Sequence, residues 1–292
     1  MTDTAASILI DPIQLHQRLM DSSLLILDAT VELPAPRFDG DYQASSGYAG
    51  WLQAHIPGAL HADLFDALSD PNAAYSFALP SARALSTALG KLGVNPQRRV
   101  VIYDRADGFW AARLWWMLRS LGLHAYVLDG GFKAWQRAGL PEQSGPVVTQ
   151  PVAWQASFRD GFWIDRAGVQ TVLAGDRSGV VVCALSAALF DGTAVSRYAR
   201  RGHIPGSRNL PARALFDEHG GYLKSEALRT SLDLLLQGSE PLILYCGGGI
   251  SAAAQALALA VVGRTDVFIY DGSLQEWAAD TRLPMTTGAA PA

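Results

Sequence analysis

An α/β fold in two tandem copies, each a parallel β-sheet flanked by helices, follows from three features of the sequence. Motifs recur in the same order in both halves, short apolar runs alternate with helical stretches, and a length of 292 residues suits two domains better than one.

The duplication is the strongest of the three. His55-Ile56-Pro57-Gly58-Ala59 returns as His203-Ile204-Pro205-Gly206-Ser207, and Val101-Ile102-Tyr103-Asp104 returns as Ile243-Leu244-Tyr245-Cys246. The stretch from Val127-Leu128-Asp129-Gly130-Gly131 to Trp135 returns as Ile269-Tyr270-Asp271-Gly272-Ser273 to Trp277. Positions 104 and 246, like 129 and 271, are 142 residues apart, so register is kept across motifs. Leu24-Leu25-Ile26-Leu27, Val100-Val101-Ile102-Tyr103 and Ala125-Tyr126-Val127-Leu128 are apolar without alternation, as strands buried on both faces of a parallel sheet should be. Residues 109–121 read as a helix ended by Gly122. In the second half, Val180-Val181-Val182, Leu242-Ile243-Leu244-Tyr245 and Val267-Phe268-Ile269-Tyr270 read as strands, with a helix at about 251–262. Pro146 and Pro151 lie in an aperiodic stretch. The expected division is therefore a first domain over residues 1–143, a linker over 144–158 and a second domain over 159–292. Trp115, Trp116, Trp135 and Trp277 are expected to pack the domains, and the duplicated His55 and His203 to be structural.

Composition narrows the function. Hydrophobic residues make up 49% and charged residues 17%, a globular balance. The net charge of −4 and the absence of any basic cluster beyond Arg200-Arg201 argue against a nucleic-acid surface. The most apolar helical stretch, about 252–262, is roughly half of what a bilayer requires, and no basic region precedes an apolar run at the N-terminus. Neither a membrane partner nor a secretory leader is expected. Cys183 and Cys246 are the 2 cysteines, too few for a disulfide framework, so a cytoplasmic location is the expectation.

Cys246 is the candidate nucleophile. It ends a buried strand and begins Cys246-Gly247-Gly248-Gly249-Ile250-Ser251, a glycine-rich turn into a helix. Ligands of open α/β sheets bind at the carboxyl ends of strands. The glycines let backbone N–H groups curl into an anion-binding nest, and the helix adds its positive end to favour a thiolate. Such a thiolate is a soft nucleophile suited to attacking sulfur. Cys183, with no glycine loop after it, reads as a buried structural cysteine. Two rival loops fit worse. Gly247-Gly248-Gly249-Ile250-Ser251-Ala252 formally matches a dinucleotide fingerprint, with Asp271 about twenty residues on, but too little chain follows Asp271 to complete a nucleotide-binding half. A cysteine phosphatase needs Arg six positions after the cysteine, where Ala252 stands.

Taken together, His55-Ile56-Pro57-Gly58-Ala59, Leu68-Ser69-Asp70-Pro71, Trp115-Trp116-Met117-Leu118-Arg119, Leu128-Asp129-Gly130-Gly131, Gly202-His203-Ile204-Pro205-Gly206-Ser207-Arg208-Asn209, the Cys246 loop and Tyr270-Asp271-Gly272-Ser273 resemble the tandem rhodanese-domain sulfurtransferases. Within that family the chain is more similar to 3-mercaptopyruvate than to thiosulfate sulfurtransferases, because the cysteine is followed by glycines and not by basic residues. The resemblance covers nearly the whole chain. It implies an inactive first domain, with Asp104 at the cysteine position, and a catalytic second domain. It implies that Cys246 takes sulfane sulfur from 3-mercaptopyruvate or thiosulfate as a persulfide and passes it to a thiol, such as that of a thioredoxin-like protein, or to cyanide. The N–H groups of Gly247, Gly248, Gly249, Ile250 and Ser251 would hold the persulfide anion; no metal and no cofactor is called for. The second anion-binding arginine falls at Arg197, or at Arg200 if a short deletion intervenes; the alternative for both is a solvated surface near the domain junction. The chain departs from the family pattern at four places. Leu189 replaces an Arg before Phe190, Leu185 replaces the Arg of an Asp-x-Arg pattern, Phe77 replaces a His, and Gly248 stands where Ser is common. A second reading is therefore a sulfur-carrier or protein-interaction module that turns over small donors poorly.

Overall fold

The computed structural model describes residues 8–289, so the N-terminal residues 1–4 and the extreme ends of the two expected domain ranges lie outside the described residues. The first half runs β1 (Leu9–Ile10), α1 (Pro12–His16), β2 (Leu24–Asp28), β3 (Val31–Glu32), β4 (Ser45–Ser46), α2 (Tyr48–Gln53), β5 (Leu60–His61), α3 (Ala82–Lys91), β6 (Arg99–Tyr103), α4 (Phe109–Ser120), β7 (Ala125–Leu128) and α5 (Gly131–Arg137). The second runs β8 (Trp163–Ile164), α6 (Arg166–Leu173), β9 (Val180–Cys183), α7 (Ala187–Phe190), β10 (Arg208–Asn209), a 3₁₀ turn (Ala212–Leu215), α8 (Ser225–Leu236), β11 (Leu242–Tyr245), α9 (Ile250–Val261), β12 (Val267–Tyr270) and α10 (Ser273–Trp277).

Each half forms a five-stranded parallel sheet, and the two have one topology. The orders are β5-β2-β6-β7-β1 and β10-β9-β11-β12-β8. The long apolar runs of the sequence are the interior strands. The edges β1, β5, β8 and β10 are two residues each, too short to show any periodicity. A two-stranded antiparallel ribbon, β3 with β4, is added to the first half. Asp28 lies opposite Tyr103 and Cys183 opposite Tyr245 in register, so the duplication extends to the strand ends.

Register slips by one residue between the strands. The loop from Asp104 to α4 is one residue longer than that from Cys246 to α9, and the turn after each helix compensates. Gly108 and Gly249 cap the two helices at φ +83° and +76°, a left-handed conformation that glycine adopts freely.

Helices α4 and α9 pack against each other across the domain junction. Both are buried along almost their whole length, and Ala252, Ala253, Ala254, Ala256 and Ala258 keep α9 slim enough for close approach. Trp115 and Trp116 of α4 join the hydrophobic cluster that runs through both halves. Trp135 does not: it lies in a smaller cluster confined to the first half, and its indole N–H donates to the Pro141 carbonyl at 2.8 Å. His55 and His203 are buried, each with Nδ1 on a backbone carbonyl, of Trp51 at 2.8 Å and Phe190 at 2.7 Å. No regular element occurs between α5 and β8, but this stretch is tied down. Gln143 bonds to His55, Val152 N–H to the Gly90 carbonyl and Arg159 N–H to the Ser120 carbonyl. Among the described residues no helix is long and apolar enough to cross a membrane.

Candidate active site

Cys246 follows β11 directly and is 2% exposed. The chain at the start of α10 clamps its loop from below. Leu274 N–H donates to the Cys246 carbonyl at 3.1 Å and Gln275 N–H to the Gly247 carbonyl at 2.9 Å. The Ser273 hydroxyl accepts the N–H groups of Cys246 and Gly249, both at 3.1 Å, and donates to the Tyr270 carbonyl at 2.8 Å. That uses both lone pairs and the proton. Ser273 holds φ at +47°, a strained conformation for a residue with a side chain. Its hydroxyl is what a glycine there would lack. Two loop amides are thus turned to Ser273, while those of Gly247, Gly248, Ile250 and Ser251 meet no acceptor among the described residues. Open N–H groups at a helix start form an anion cradle.

A strap from the first half crosses this cradle. Leu79 N–H and the Tyr75 hydroxyl donate to Asp271 Oδ2, at 2.7 and 3.2 Å, and Ser76 N–H donates to Gln275 Oε1 at 2.9 Å. The second half returns the contact more simply, with Tyr222 N–H on Asp129 Oδ1 at 2.8 Å. Tyr198 packs so closely over Gly247 that a Cβ there would collide with its hydroxyl, and a Cβ at Gly248 would meet the Gln275 amide. Tyr42 accepts a hydrogen bond from Gln275 Nε2 at 3.3 Å. Burial pushes the Tyr42 hydroxyl up to about 12 and Tyr198 far above the usual tyrosine range; charge on Cys246 raises both and Arg197 lowers both. Neutral hydroxyls and one amide thus lie over Gly247 and Gly248, and the field of Arg197 reaches the same two tyrosines.

The two arginines expected at the site part company. Arg197 is half-buried, donates to the carbonyls of Leu33 at 3.4 Å and Pro34 at 2.5 Å, and keeps a buried Nε with no acceptor. Arg200 is not free for an anion. Its Nε, Nη1 and Nη2 donate to the carbonyls of Trp277, Ala278, Asp280 and Leu283 at 2.8–3.1 Å, which makes it the staple of the C-terminal turn. Leu185 is buried and Leu189 packs on the core. Phe77 holds φ at +62° and buries its ring against Trp110, with centroids 4.8 Å apart. Cys183 is fully buried, and burial pushes its thiol up to about 12, consistent with an inert packing role.

Ser273, Gln275, Tyr198, Tyr42 and Ser76 complete the site beyond the cysteine loop. Ser273 and Gln275 carried a usable signal: they are among the positions at which the repeated Asp-Gly motif changes, from Gly131 and Lys133 in the first copy. The tyrosines and Ser76 carried none, since they arrive from distant segments.

The rhodanese-like domain family matches residues 11–138 and again 179–280. The 3-mercaptopyruvate sulfurtransferase of Escherichia coli (strain K12) is 32% identical over 93% of this chain and 95% of its own. The 3-mercaptopyruvate sulfurtransferase of Homo sapiens is 36% identical over 87% of this chain and 84% of its own. The crystal structure of SseA from Escherichia coli superposes with a TM-score of 0.78 at 29% identity, covering 92% of this chain and 99% of that one. Two matched copies, one sheet topology repeated, and a single cysteine cradle in the second copy give one conclusion: the chain belongs to the rhodanese-like family, among its tandem-domain sulfurtransferases.

Proposed function

We infer that the protein moves sulfane sulfur from a small anionic donor, 3-mercaptopyruvate or thiosulfate, to a thiol or cyanide through a persulfide on Cys246. The observation that carries this is the cradle: the glycine turn that begins at one buried thiol leaves four backbone N–H groups without an acceptor among the described residues. The Cys246 thiolate attacks the terminal sulfur of the donor. The donor's C–S or S–S bond breaks, releasing the pyruvate enolate, which takes up a proton, or sulfite. An acceptor thiolate, or cyanide, then attacks the outer sulfur of the persulfide and the Cys246 thiolate leaves. The amides of Gly247, Gly248, Ile250 and Ser251 stabilise the negative outer sulfur, and Arg197 attracts the donor's carboxylate or sulfonate. A thioredoxin-like protein supplies a suitable thiol. A reducing compartment such as the cytoplasm suits two unpaired cysteines.

The decisive experiment supplies each donor with cyanide and follows thiocyanate, with intact-mass measurement of the protein after donor alone. The expected result is thiocyanate, plus a mass gain of one sulfur that Cys246→Ser abolishes. No turnover with either donor, and no added sulfur on reduced protein, would sink this reading. The commitment of Arg200 and of Arg197 Nη2 to backbone carbonyls favours a second reading, a carrier fed by another protein's persulfide. It predicts sulfur on Cys246 from a persulfidated protein and poor turnover of both small donors.

A further inference from the structure

Arg113 sits in the half that has no catalytic cysteine, yet its guanidinium lies against the cysteine loop. It projects from α4, is 1% exposed, and its Nη2 donates to Asp271 Oδ1 at 2.5 Å and to the Phe77 carbonyl at 2.9 Å. Its face covers the Trp163 ring, with Cζ 4.9 Å from the centroid. Nε and Nη1 have no acceptor among the described residues. Nη1 points at the catalytic turn: a Cβ on Gly249 would stand 2.8 Å from it and 3.5 Å from the Asp271 carbonyl oxygen. One buried cation thus touches the strap through Phe77, the Asp271 carboxylate that holds the strap's Leu79 and Tyr75, and the left-handed glycine that starts α9. Burying an arginine is costly unless its charge or its fork is used. The duplication has no reciprocal group, because counting from the helix starts the equivalent of Arg113 in α9 is Ala254.

We propose that Arg113 is a positioning residue for the Cys246 loop, contributed by the half that lacks the nucleophile. It acts through Asp271 and by packing on Gly249. It fixes the turn whose amides face the sulfur and locks the strap over it in the same contact. The first domain then takes part in the reaction as the wall against which the cradle is set. The proposal rests on the sulfur-transfer reading for its kinetic consequence, but not for its structural one.

The test uses full-length Arg113→Met, Arg113→Lys and Asp271→Asn. Turnover is expressed per Cys246 that can be persulfidated, and hydrogen exchange is followed in residues 242–250 and, as a reference, in residues 99–103. Arg113→Met is expected to lower kcat per site by about tenfold or more while the donor KM changes by less than about threefold, with Arg113→Lys recovering part of the loss. Exchange should quicken in residues 242–250 and stay unchanged in residues 99–103. A kcat per site within about twofold of the parent, or exchange that quickens equally in both segments, overturns the proposal. If Arg113→Met does not fold, Asp271→Asn, which keeps the shape of the partner, gives the same readings. If the parent protein takes up no sulfur, the sulfur-transfer reading falls by itself, and the exchange comparison still decides the role of Arg113.

Discussion

The Asp104 and Cys246 loops stand at the same place in two copies of one fold, and they use their amides in opposite ways. In the first copy the carboxylate fills its own nest. Asp104 Oδ1 accepts the N–H groups of Ala106 at 2.9 Å and Gly108 at 3.0 Å, and Oδ2 accepts that of Ala111 at 2.9 Å. In the second copy the side chain is a thiol, which satisfies none of these donors, and Ser273 takes up two while the others stay open. The difference teaches that the first copy is a closed version of the second, with its own carboxyl group seated where the second copy leaves amides open. A carboxylate that cannot leave closes its loop; on the proposed mechanism, a thiol that takes up sulfur would close its loop only in passing. The loops also differ in length by one residue, so exchanging the side chains alone would not exchange the functions.

The largest way to break the comparison is to remove the nucleophile. Cys246→Ser should lower thiocyanate formation by at least about a thousandfold, because a hydroxyl neither ionises nor attacks sulfur as a thiol does. Residual turnover within about tenfold of the parent would move the chemistry elsewhere. Next comes the shape of the cradle. Gly247→Ala forces a methyl into Tyr198, ring and hydroxyl together, and should cost about tenfold or more in kcat. Gly248→Ala meets mainly the amide end of Gln275, a flexible side chain, and should cost less than about threefold. Equal losses at the two positions would show that Tyr198 yields. Smaller again is the effect of making Ser273 resemble its twin. Ser273→Gly removes the acceptor for two loop amides but relieves the left-handed strain, so kcat should fall by about tenfold with Tm shifted by only about 2 °C. Ser273→Ala should lose the same kcat and more stability, because it keeps the strain; steady-state assays with thermal melts of both variants separate the two effects.

How much of this was legible in the sequence follows physical lines. The two parallel sheets, the cysteine and its glycines were legible because unbroken apolar runs and the loop motif are written in consecutive residues, and the duplication supplied an internal control. The edge strands were not, since two residues held by one neighbour need no apolar pattern. The partners of Arg200 were not legible for a related reason. Sequence shows a charge but not its partner, and its carbonyls at 277–283 lie about eighty residues on, brought back by the fold. Tyr198, Tyr42 and Arg113 reach the site from three segments, one of them a helix whose buried face looked like packing alone. Ser273 and Gln275 did break a motif visibly, by placing a hydroxyl and an amide where the first copy has Gly131 and Lys133.

The smallest expected effect on turnover, and the sharpest on stability, concerns the closed copy. Burial raises the Asp104 carboxyl to about 6 despite three amide donors that pull it down, and the nearby Asp107 adds to the rise. The sign follows from proton binding. Between the unfolded carboxylate pKa of about 4 and the folded value, the native state binds the extra proton, so stability falls as pH rises through this window and levels off above about pH 6. A shift of about two units corresponds to at most about 3 kcal/mol. Asp104→Asn cannot ionise, so its unfolding free energy, measured by denaturant titration between about pH 4 and 6, should lack the Asp104 part of that decline. The variant also turns an NH₂ group toward loop amides and gives up an acceptor, which should cost about 1 kcal/mol near pH 4, where the parent is protonated, and be offset near pH 7, where the parent carries a buried charge. Turnover per Cys246 should stay within about twofold of the parent, because this carboxylate closes its own loop. A larger loss would mean that the two copies are coupled through more than their shared junction, and that the closed nest helps to set the open one.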